Sequence, residues 1–493
     1  MLVYSILLSE KKKVQETFCC RGRCGRVWKQ FRFPKEELGR KEYGKESWQF
    51  YREAGICPGG GRECGRTWNL WRFPPLAAQY GGGIFILVYI VLALTFGFAL
   101  MTTEIAIGRR TGSSPVMAYQ KLCKKFKFLG YLAALVPVVI LPYYCVIGGW
   151  VLKYMVVYIQ GFTQEAASDG FFGAFTGDTV SPLIFFVIYL AATWLIVMGG
   201  VEKGIEKLSR FLMPLLVLLS IGIAIYILTL PGALEGAKYY LLPDFSKFSF
   251  KTICAAMGQM FFSMSLAMGI MVTYGSYTKP DVSLTKSVNQ IEIFDTVVAL
   301  LAGLMVVPSV YVFSGEEAMS SSGPGLMFVT LPKVFGDMAG GRVIGFLFFL
   351  LVLFAALTSS VSVMEAIVSV LMEKFGIGRK AACTGTLIFA LLAGIPVSLG
   401  NGIWSGIKIL GMDLLTFFDY LSNSVMMPLV ALFTCIMVGW FIGTKTITDE
   451  VTRNGEKFGR KRIYEVMIKY VAPVFLLIIL ISYNLSQFGI ITL

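Results

Sequence analysis

Ionisable side chains inside long apolar stretches are the first residues in this sequence that could do chemistry. Asp295 lies in QIEIFDTVVALLAGLMVVP, and Glu104 lies in FALMTTEIAIGRRTG. Because a charged group costs free energy in hydrocarbon, such residues mark ligand or ion pathways more often than they serve packing. Asp295 therefore predicts a functional site, with a helix cap or an internal pair as the structural alternative. For Glu104, which lies nearer a helix end, the functional and structural interpretations have equal weight.

A run of hydroxyl side chains in FAALTSSVSVMEAIVSVLMEK is the second candidate. It places four hydroxyls in an otherwise apolar stretch, on Thr358, Ser359, Ser360 and Ser362. Hydroxyl and carbonyl oxygens suit a hard monovalent cation, and they require neither histidine nor thiolate. A single serine more often bonds to the carbonyl four residues earlier in its own helix. Four hydroxyls together favour a cation site.

Small residues interrupt the apolar stretch GQMFFSMSLAMGIMVTYGSY. They are Gly258, Ser263, Ser265, Ala267 and Gly269. This composition is typical of a helix that unwinds locally and lines a cavity in a membrane protein. Close helix packing through small residues is an equally good explanation of this stretch alone.

The composition places these residues in a membrane. The chain has 493 residues, of which 56% are hydrophobic and 15% are charged, and its mean hydropathy is +0.70. A soluble domain of this size is rarely so apolar, so the class is an all-α integral membrane protein. The apolar runs are continuous rather than alternating, which indicates spanning helices and not barrel strands.

Ten apolar runs are long enough to span a membrane. We predict helices at Gly82–Ile107, Phe128–Gly161, Ser181–Gly199, Phe211–Leu230, Phe250–Tyr277, Ile291–Phe313, Val343–Glu373, Ala381–Leu399, Leu414–Gly443 and Val466–Asn484. The loop after the first run carries six basic residues, whereas GFTQEAASDGFFGAFTGD carries none. This alternation follows the positive-inside rule, so the net charge of +14 reflects topology and not nucleic-acid binding. A cytoplasmic N-terminus then requires an eleventh helix around Gly55–Ala78, and it leaves the C-terminus external.

Several classes of chemistry are excluded or disfavoured. The chain has no histidine, which excludes histidine triads and histidine-ligated metals. The cysteine-rich FCCRGRC has no second ligand pair, so a zinc site is disfavoured. An enzyme is disfavoured, because the sequence shows neither paired catalytic carboxylates nor a nucleophile motif. The long external loop Gly315–Met338 is apolar in its middle, and we expect it to pack on the protein as a lid.

Four motifs carry a family resemblance. NLWRFPPLAAQYGGGIFILVYI, PYYCVIGGW, FFSMSLAMG and FAALTSSVSVM, in this order and spacing, resemble the neurotransmitter:sodium symporter family, and most of all its bacterial eleven-helix amino-acid transporters. The resemblance extends from Asn69 to about Asn484. It implies the inverted-repeat transporter fold, in which helices 1–5 and 6–10 are pseudo-symmetric halves and helices 1 and 6 are broken at the midplane.

The resemblance further implies a sodium-coupled symporter with sodium as the co-transported partner, which binds at two sites. Ligands of the first ion, which also touches the substrate carboxylate, would include Asn69, Ser263 and Asp295. Ligands of the second would include the Ala355 carbonyl and the hydroxyls of Thr358 and Ser359. Animal members have asparagine at the position of Asp295 and use chloride, so the carboxylate predicts chloride independence.

The implied substrate site and gates follow in the same way. The substrate site comprises Ile140, Tyr144, Phe262, Ser263, Ser265, Ala267, Met268, Ser359 and Val363. Its lining is mostly apolar and uncharged, which predicts a neutral hydrophobic or aromatic amino acid. The gating residues are Arg72 with Asp419 outside, Glu373 inside, and Gly204 and Pro214, which allow the cytoplasmic end of helix 5 to unwind. A permanent salt bridge is the structural alternative for Arg72 and Asp419.

The sequence departs from the family before the WRFP motif. Members carry a small apolar segment ending Gly-Leu-Gly-Asn, whose backbone binds sodium and the substrate carboxylate, whereas this chain has RECGRTW at Arg62–Trp68. Codons for Gly55–Thr67 can be chosen so that, read one base later, they encode AFVLAAAGSAVGL. We therefore favour a compensated pair of frameshifts, and a degenerate inactive paralogue or an unknown adaptation stays open. We expect a doubtful cytoplasmic segment at 1–50, one transporter domain at 51–485 and an external tail at 486–493.

Overall fold

The membrane helices account for most of the regular structure. A computed structural model describes residues 72–201, 205, 207–314 and 325–487. Helices α1 to α5 are Phe73–Gln79, Gly83–Thr111, Lys127–Gln160, Ser181–Met198 and Lys207–Leu228. Helix α6 is divided into α6a, Phe250–Ser263, and α6b, Ile270–Tyr277. Helices α7 to α10 are Leu284–Ser314, Gly341–Phe375, Arg379–Leu399 and Leu414–Phe441. Helix α11 runs through Lys461–Val466, Met467–Val471 and Ala472–Gln487.

Eight helices of the described residues are long and apolar enough to span a membrane by length and composition. The predicted helix bounds are confirmed to within about five residues, except that α7 begins at Leu284 rather than Ile291. The residues before Ile291 are mostly polar, so the apolar run does not include them. Leu284 and Val288 are nevertheless buried, and they continue the inner face of α7 toward its start. Of the predicted first helix, only Phe73–Gln79 falls within the described residues.

The helices pack in two groups. In the first group, α1, α2, α6 and α7 contact one another, and in the second, α3, α4, α8 and α9 do so. Helix α10 packs against α11 and α3. The predicted interruption of α6 therefore lies in the first group, and the predicted hydroxyl run of α8 lies in the second.

Two glycines let α2 approach α6b closely. A Cβ atom on Gly108 would lie 2.0 Å from the Val272 carbonyl oxygen, and one on Gly275 would lie 2.4 Å from the Ile105 carbonyl oxygen. The two helix backbones are thus in contact with no side chain between them. Since α6b begins directly after the interruption, this contact fixes one side of it.

The long external loop packs on the protein, as predicted, over the part that is described. It contains a π-helical turn at Leu326–Thr330 and the short helix Leu331–Asp337. Phe328 is fully buried, and its carbonyl oxygen accepts a hydrogen bond of 2.6 Å from the Tyr154 hydroxyl on α3. The loop is thus attached to the second group of helices.

Alanine at Gly108 or Gly275 is expected to destabilise the protein. The added methyl group overlaps a backbone carbonyl of the facing helix, and forced overpacking costs about 1–3 kcal/mol. Thermal stability of the detergent-purified protein, followed by size-exclusion chromatography after heating, should fall by several degrees in each variant. Gly385→Ala is the matched control, because nothing lies within 4 Å of a Cβ at that position on α9. An unchanged melting temperature in Gly108→Ala would contradict the close contact.

Candidate functional site

The interruption of α6 exposes backbone in the middle of the protein. Helix α6a ends at Ser263 and α6b begins at Ile270. Between them the backbone enters the left-handed region three times, with φ of +50° at Ser265, +60° at Ala267 and +70° at Gly269. The prediction of a locally unwound helix is therefore confirmed.

Glu104 holds this unwound segment in place. Left-handed backbone costs about 1–2 kcal/mol per residue other than glycine, so Ser265 and Ala267 need support from their surroundings. The Ala267 amide donates a hydrogen bond of 2.8 Å to Glu104 Oε1, and the Glu104 side chain on α2 is fully buried. Among the described residues, Glu104 Oε2 has no hydrogen-bond partner. Glu104 thus has a structural role, but its partner is the unwound segment and not a helix end.

A buried carboxylate lies beside the end of α6a. The Tyr89 hydroxyl on α2 donates to Asp295 Oδ2 at 2.6 Å, and the Ser263 hydroxyl donates to the same oxygen at 2.5 Å. The two hydroxyl oxygens are 2.7 Å apart. All three side chains are buried. Helices α2, α6a and α7 thus bring three oxygen-bearing side chains together, which is the chemistry that a hard cation requires.

The hydroxyl groups of the run in α8 form two kinds of hydrogen bond, some within α8 and some to neighbouring helices. Within its own helix, the Thr358 hydroxyl donates hydrogen bonds to the Ala355 carbonyl at 2.8 Å and to the Phe354 carbonyl at 3.2 Å. Ser360 instead bonds to Thr193 of α4 at 2.9 Å, and Ser362 accepts a bond of 2.9 Å from Tyr274 of α6b. Two of the four hydroxyls therefore bind neighbouring helices.

The implied substrate-site residues come from α3, α6 and α8. Seven of them are buried, namely Ile140, Tyr144, Phe262, Ser263, Ala267, Met268 and Val363. Ser265 and Ser359 are partly exposed. Three of the implied substrate-site residues, Ser265, Ala267 and Met268, belong to the unwound segment of α6.

On the side of α1, Arg72 lies over Phe262, one of the implied substrate-site residues. Its guanidinium carbon is 5.1 Å from the centroid of the Phe262 ring. Asp419 accepts a hydrogen bond of 2.5 Å from Asn423, one turn later in α10. No ion pair within 4.0 Å joins Arg72 and Asp419 among the described residues.

At the opposite end, Glu373 contacts the loop between α2 and α3. Its Oε2 accepts a hydrogen bond of 2.5 Å from the Ser114 amide, which precedes the short helix Pro115–Leu122. Pro214 lies inside α5, as predicted. Gly204 and Asn69, like the stretch Arg62–Trp68, lie outside the described residues.

Sequence reasoning missed two features. Tyr89 was hidden in an apolar run, where one tyrosine is the only signal of its bond to Asp295. Glu365 follows the hydroxyl run without a signal of its own, but it is fully buried and forms an ion pair of 2.5 Å with Arg379 at the start of α9. The Tyr277 hydroxyl at the end of α6b also donates to Glu365, at 3.0 Å. The hydrogen bond from Tyr277 to Glu365 therefore ties the two groups of helices together.

Comparison with known proteins gives one consistent result. The sequence profile described as the Sodium:neurotransmitter symporter family matches residues 63–168 and 176–491. An uncharacterized sodium-dependent transporter of Haemophilus influenzae is 34% identical over 83% of this chain and 92% of its own length. One of Bacillus subtilis is 32% identical over the same shares. The human sodium- and chloride-dependent GABA transporter 2 is 25% identical over 77% of this chain and 70% of its own length.

A solved structure agrees with these sequence matches. The crystal structure of MhsT in complex with L-phenylalanine has a TM-score of 0.79 to this chain at 34% identity, covering 86% of this chain and 97% of MhsT. The predicted inverted-repeat transporter fold is thereby confirmed. The chain is a multi-pass membrane protein, and it belongs to the sodium:neurotransmitter symporter family.

Proposed function

We propose that the protein is a sodium-coupled symporter that imports a neutral, hydrophobic or aromatic amino acid by alternating access. The observation that carries this proposal is the unwound segment of α6, which adjoins both a buried carboxylate and an apolar set of side chains. Unwound backbone supplies amides and carbonyls to a charged substrate only where it lines a cavity. A membrane enzyme would need a reactive group that the site does not offer.

The side chains around the unwound segment favour an apolar substrate. Ile140, Ala267, Met268 and Val363 are buried and carry no charge. The Tyr144 hydroxyl is the group that would bind the substrate carboxylate, and Phe262 would cover it. MhsT was crystallised with L-phenylalanine, which supports an aromatic amino acid for this chain as well. Met268 is flexible, so it fits side chains of several sizes.

Two sodium sites fit the donors present. The first would use Ser263 and Asp295 together with Asn69. The second would use the Ala355 carbonyl and the hydroxyls of Thr358 and Ser359. These are oxygen donors, as a hard monovalent cation requires. A sodium ion that enters down a membrane potential gains about 2.3 kcal/mol per 100 mV, which makes uphill uptake of the amino acid favourable.

Alternating access would open and close the two ends in turn. Outside, Arg72 over Phe262 is placed to approach Asp419 when the site closes. Inside, Glu373 would close the cytoplasmic path, and Gly204 with Pro214 would let α5 unwind there. Basic residues at the ends of α2 and α3 favour a cytoplasmic N-terminus, an external C-terminus and a location in the cell membrane.

The rival candidate is a transport-inactive membrane paralogue or pseudogene product with a receptor-like role or none. The sequence Arg62–Trp68 supports it, since two arginines next to cation sites repel sodium and a tryptophan fills space. Resequencing the encoding DNA across codons 49 to 69 separates the two. Single-base errors would restore an ordinary helix 1, whereas a confirmed sequence leaves the sodium sites without their helix-1 half and predicts no coupled uptake.

Removal of the Thr358 hydroxyl is expected to weaken sodium coupling. Thr358→Val keeps the shape of the side chain but deletes one implied ligand of the second ion. Uptake of labelled L-phenylalanine into proteoliposomes should then need at least about tenfold more sodium for half-maximal rate, which corresponds to about 1.4 kcal/mol.

Thr386→Val is the matched control for this variant. Thr386 is likewise buried and bonds to a carbonyl of its own helix, Ala382, at 2.8 Å, but it lies in α9 away from the site. Its uptake should keep the wild-type sodium dependence. Wild-type uptake that is unaffected when potassium replaces sodium would refute sodium coupling altogether.

Chloride independence depends on the negative charge of Asp295. Wild-type uptake should be the same in sodium chloride and in sodium gluconate. In Asp295→Asn the charge is lost while the shape is kept, so uptake should fall in gluconate and recover when chloride is added. Asp244→Asn, the same change at an exposed residue, should behave like wild type. Chloride-stimulated uptake by the wild-type protein would show that the carboxylate does not replace the anion.

A further inference from the structure

Four lysines surround the turn that joins the short helix Pro115–Leu122 to α3. The turn is a 3-10 helix at Lys124–Phe126, and the four side chains, those of Lys121, Lys124, Lys125 and Lys127, are exposed. We call them the lysine cluster. The cluster lies at the end of α3 that the proposed orientation places in the cytoplasm.

The cluster has no acidic neighbour along the chain. No Asp or Glu occurs between Glu104 and Glu165, and no ion pair between described residues includes any of the four lysines. Lys121 donates to the Thr111 carbonyl at 3.3 Å and to the Ser113 hydroxyl, both of which are neutral. A fifth lysine, Lys374, lies 3.9 Å above the Tyr131 ring, one turn into α3 from the cluster. Concentrated positive charge of this kind attracts an anion.

Apolar side chains continue directly from the cluster toward the membrane. Phe126 is buried in the turn and stacks edge-on against Phe441 of α10, with ring centroids 4.9 Å apart. Phe128 contacts Phe433 at 5.3 Å but remains 45% exposed, and Trp440 is 65% exposed. Exposed aromatic rings next to lysines are typical of the boundary between lipid headgroups and acyl chains.

We propose that the lysine cluster, with Phe128 and Trp440, binds an anionic phospholipid such as phosphatidylglycerol. The lysines would contact its phosphate and glycerol headgroup, and the aromatic side chains would contact the start of its acyl chains. The positive-inside rule accounts for the sign of the charge but not for its concentration around one short turn, nor for the adjoining exposed rings. A lipid satisfies both, because it carries the phosphate and the apolar chain in one molecule.

Tryptophan quenching tests the proposal in the full-length protein. The protein is reconstituted in phosphatidylcholine nanodiscs that contain either acyl-brominated phosphatidylglycerol or, in a parallel sample, acyl-brominated phosphatidylcholine. Because bromine quenches at short range, a bound anionic lipid should give excess quenching from the glycerol lipid. The excess should vanish in Trp440→Phe, since Trp440 directly precedes Phe441, the ring that contacts Phe126 of the turn, and is the most exposed tryptophan of the described residues. Equal quenching by the two lipids, or an excess that survives in Trp440→Phe, would overturn the proposal.

Charge variants separate a local site from general attraction. The triple variant K124Q/K125Q/K127Q should lose the excess quenching, and K124R/K125R/K127R should keep it. The matched control K286Q/K457Q/K461Q removes three exposed lysines near α7 and α11 and should keep it too. An equal loss in both glutamine variants would mean that only net charge matters, which refutes the site.

Two further outcomes are informative. Each variant is first checked by size-exclusion elution against wild type, and the arginine variant tests the site even where the glutamine variant fails to fold. Millimolar inorganic phosphate, at ionic strength matched with chloride, should leave the excess intact. If phosphate abolishes it, the cluster binds a free anion, and the assignment to a lipid is wrong.

Discussion

A backbone that leaves its helix inside a membrane must find its hydrogen-bond partners within the protein, and the site depends on how this is achieved. Lipid offers no hydrogen bonds there, and an unpaired amide or carbonyl in hydrocarbon costs several kcal/mol. The segment between Ser263 and Ile270 meets this constraint with the carboxylate of Glu104, which accepts from the Ala267 amide at 2.8 Å. Glu104 comes from α2, the helix whose Gly108 also contacts α6b. Helix α2 therefore contacts both the unwound segment, through Glu104, and α6b, through Gly108.

The same helix supplies the third member of the buried carboxylate centre. Tyr89 and Ser263 both donate to one oxygen of Asp295, which fixes the rotamer of a carboxylate at the end of α6a. A buried carboxylate is stable as an anion only where hydrogen bonds or cations stabilise its charge. The fold thus places a buried carboxyl group next to the interruption, and α2 contacts both. Tyr89, which contacts the carboxyl group, and Glu104, which contacts the unwound segment, lie on the same helix, so the geometry of α2 sets the distance between these two contacts.

The sequence predicted the helices and the packed external loop, and it allowed an interruption of α6 as one of two equal interpretations, because each of these features leaves a local signal. Apolar runs of bilayer length define helices, and SMSLAMG combines small residues with a glycine that can adopt positive φ. Contacts between distant residues leave no such signal. Nothing near Tyr89 indicates Asp295, and nothing near Glu365 indicates the guanidinium of Arg379, since these pairs exist only after the helices have packed. The roles of Ser360 and Ser362 were likewise undecidable, because α8 presents hydroxyls to several neighbours at once.

The division of the hydroxyl run bears on coupling. Ser360 joins α8 to α4 within one group of helices, whereas Ser362 bonds to Tyr274 of α6b in the other. Under the proposed function, the second sodium ion would take the Ala355 carbonyl and the hydroxyls of Thr358 and Ser359 from α8, and the family resemblance implies further ligands from helix 1, whose relevant residues lie outside the described ones. A ligand shifts a conformational equilibrium only by its difference in affinity between the two states. An ion with ligands on both groups would bind the two conformations with different affinities, because moving the groups apart would remove some of its ligands.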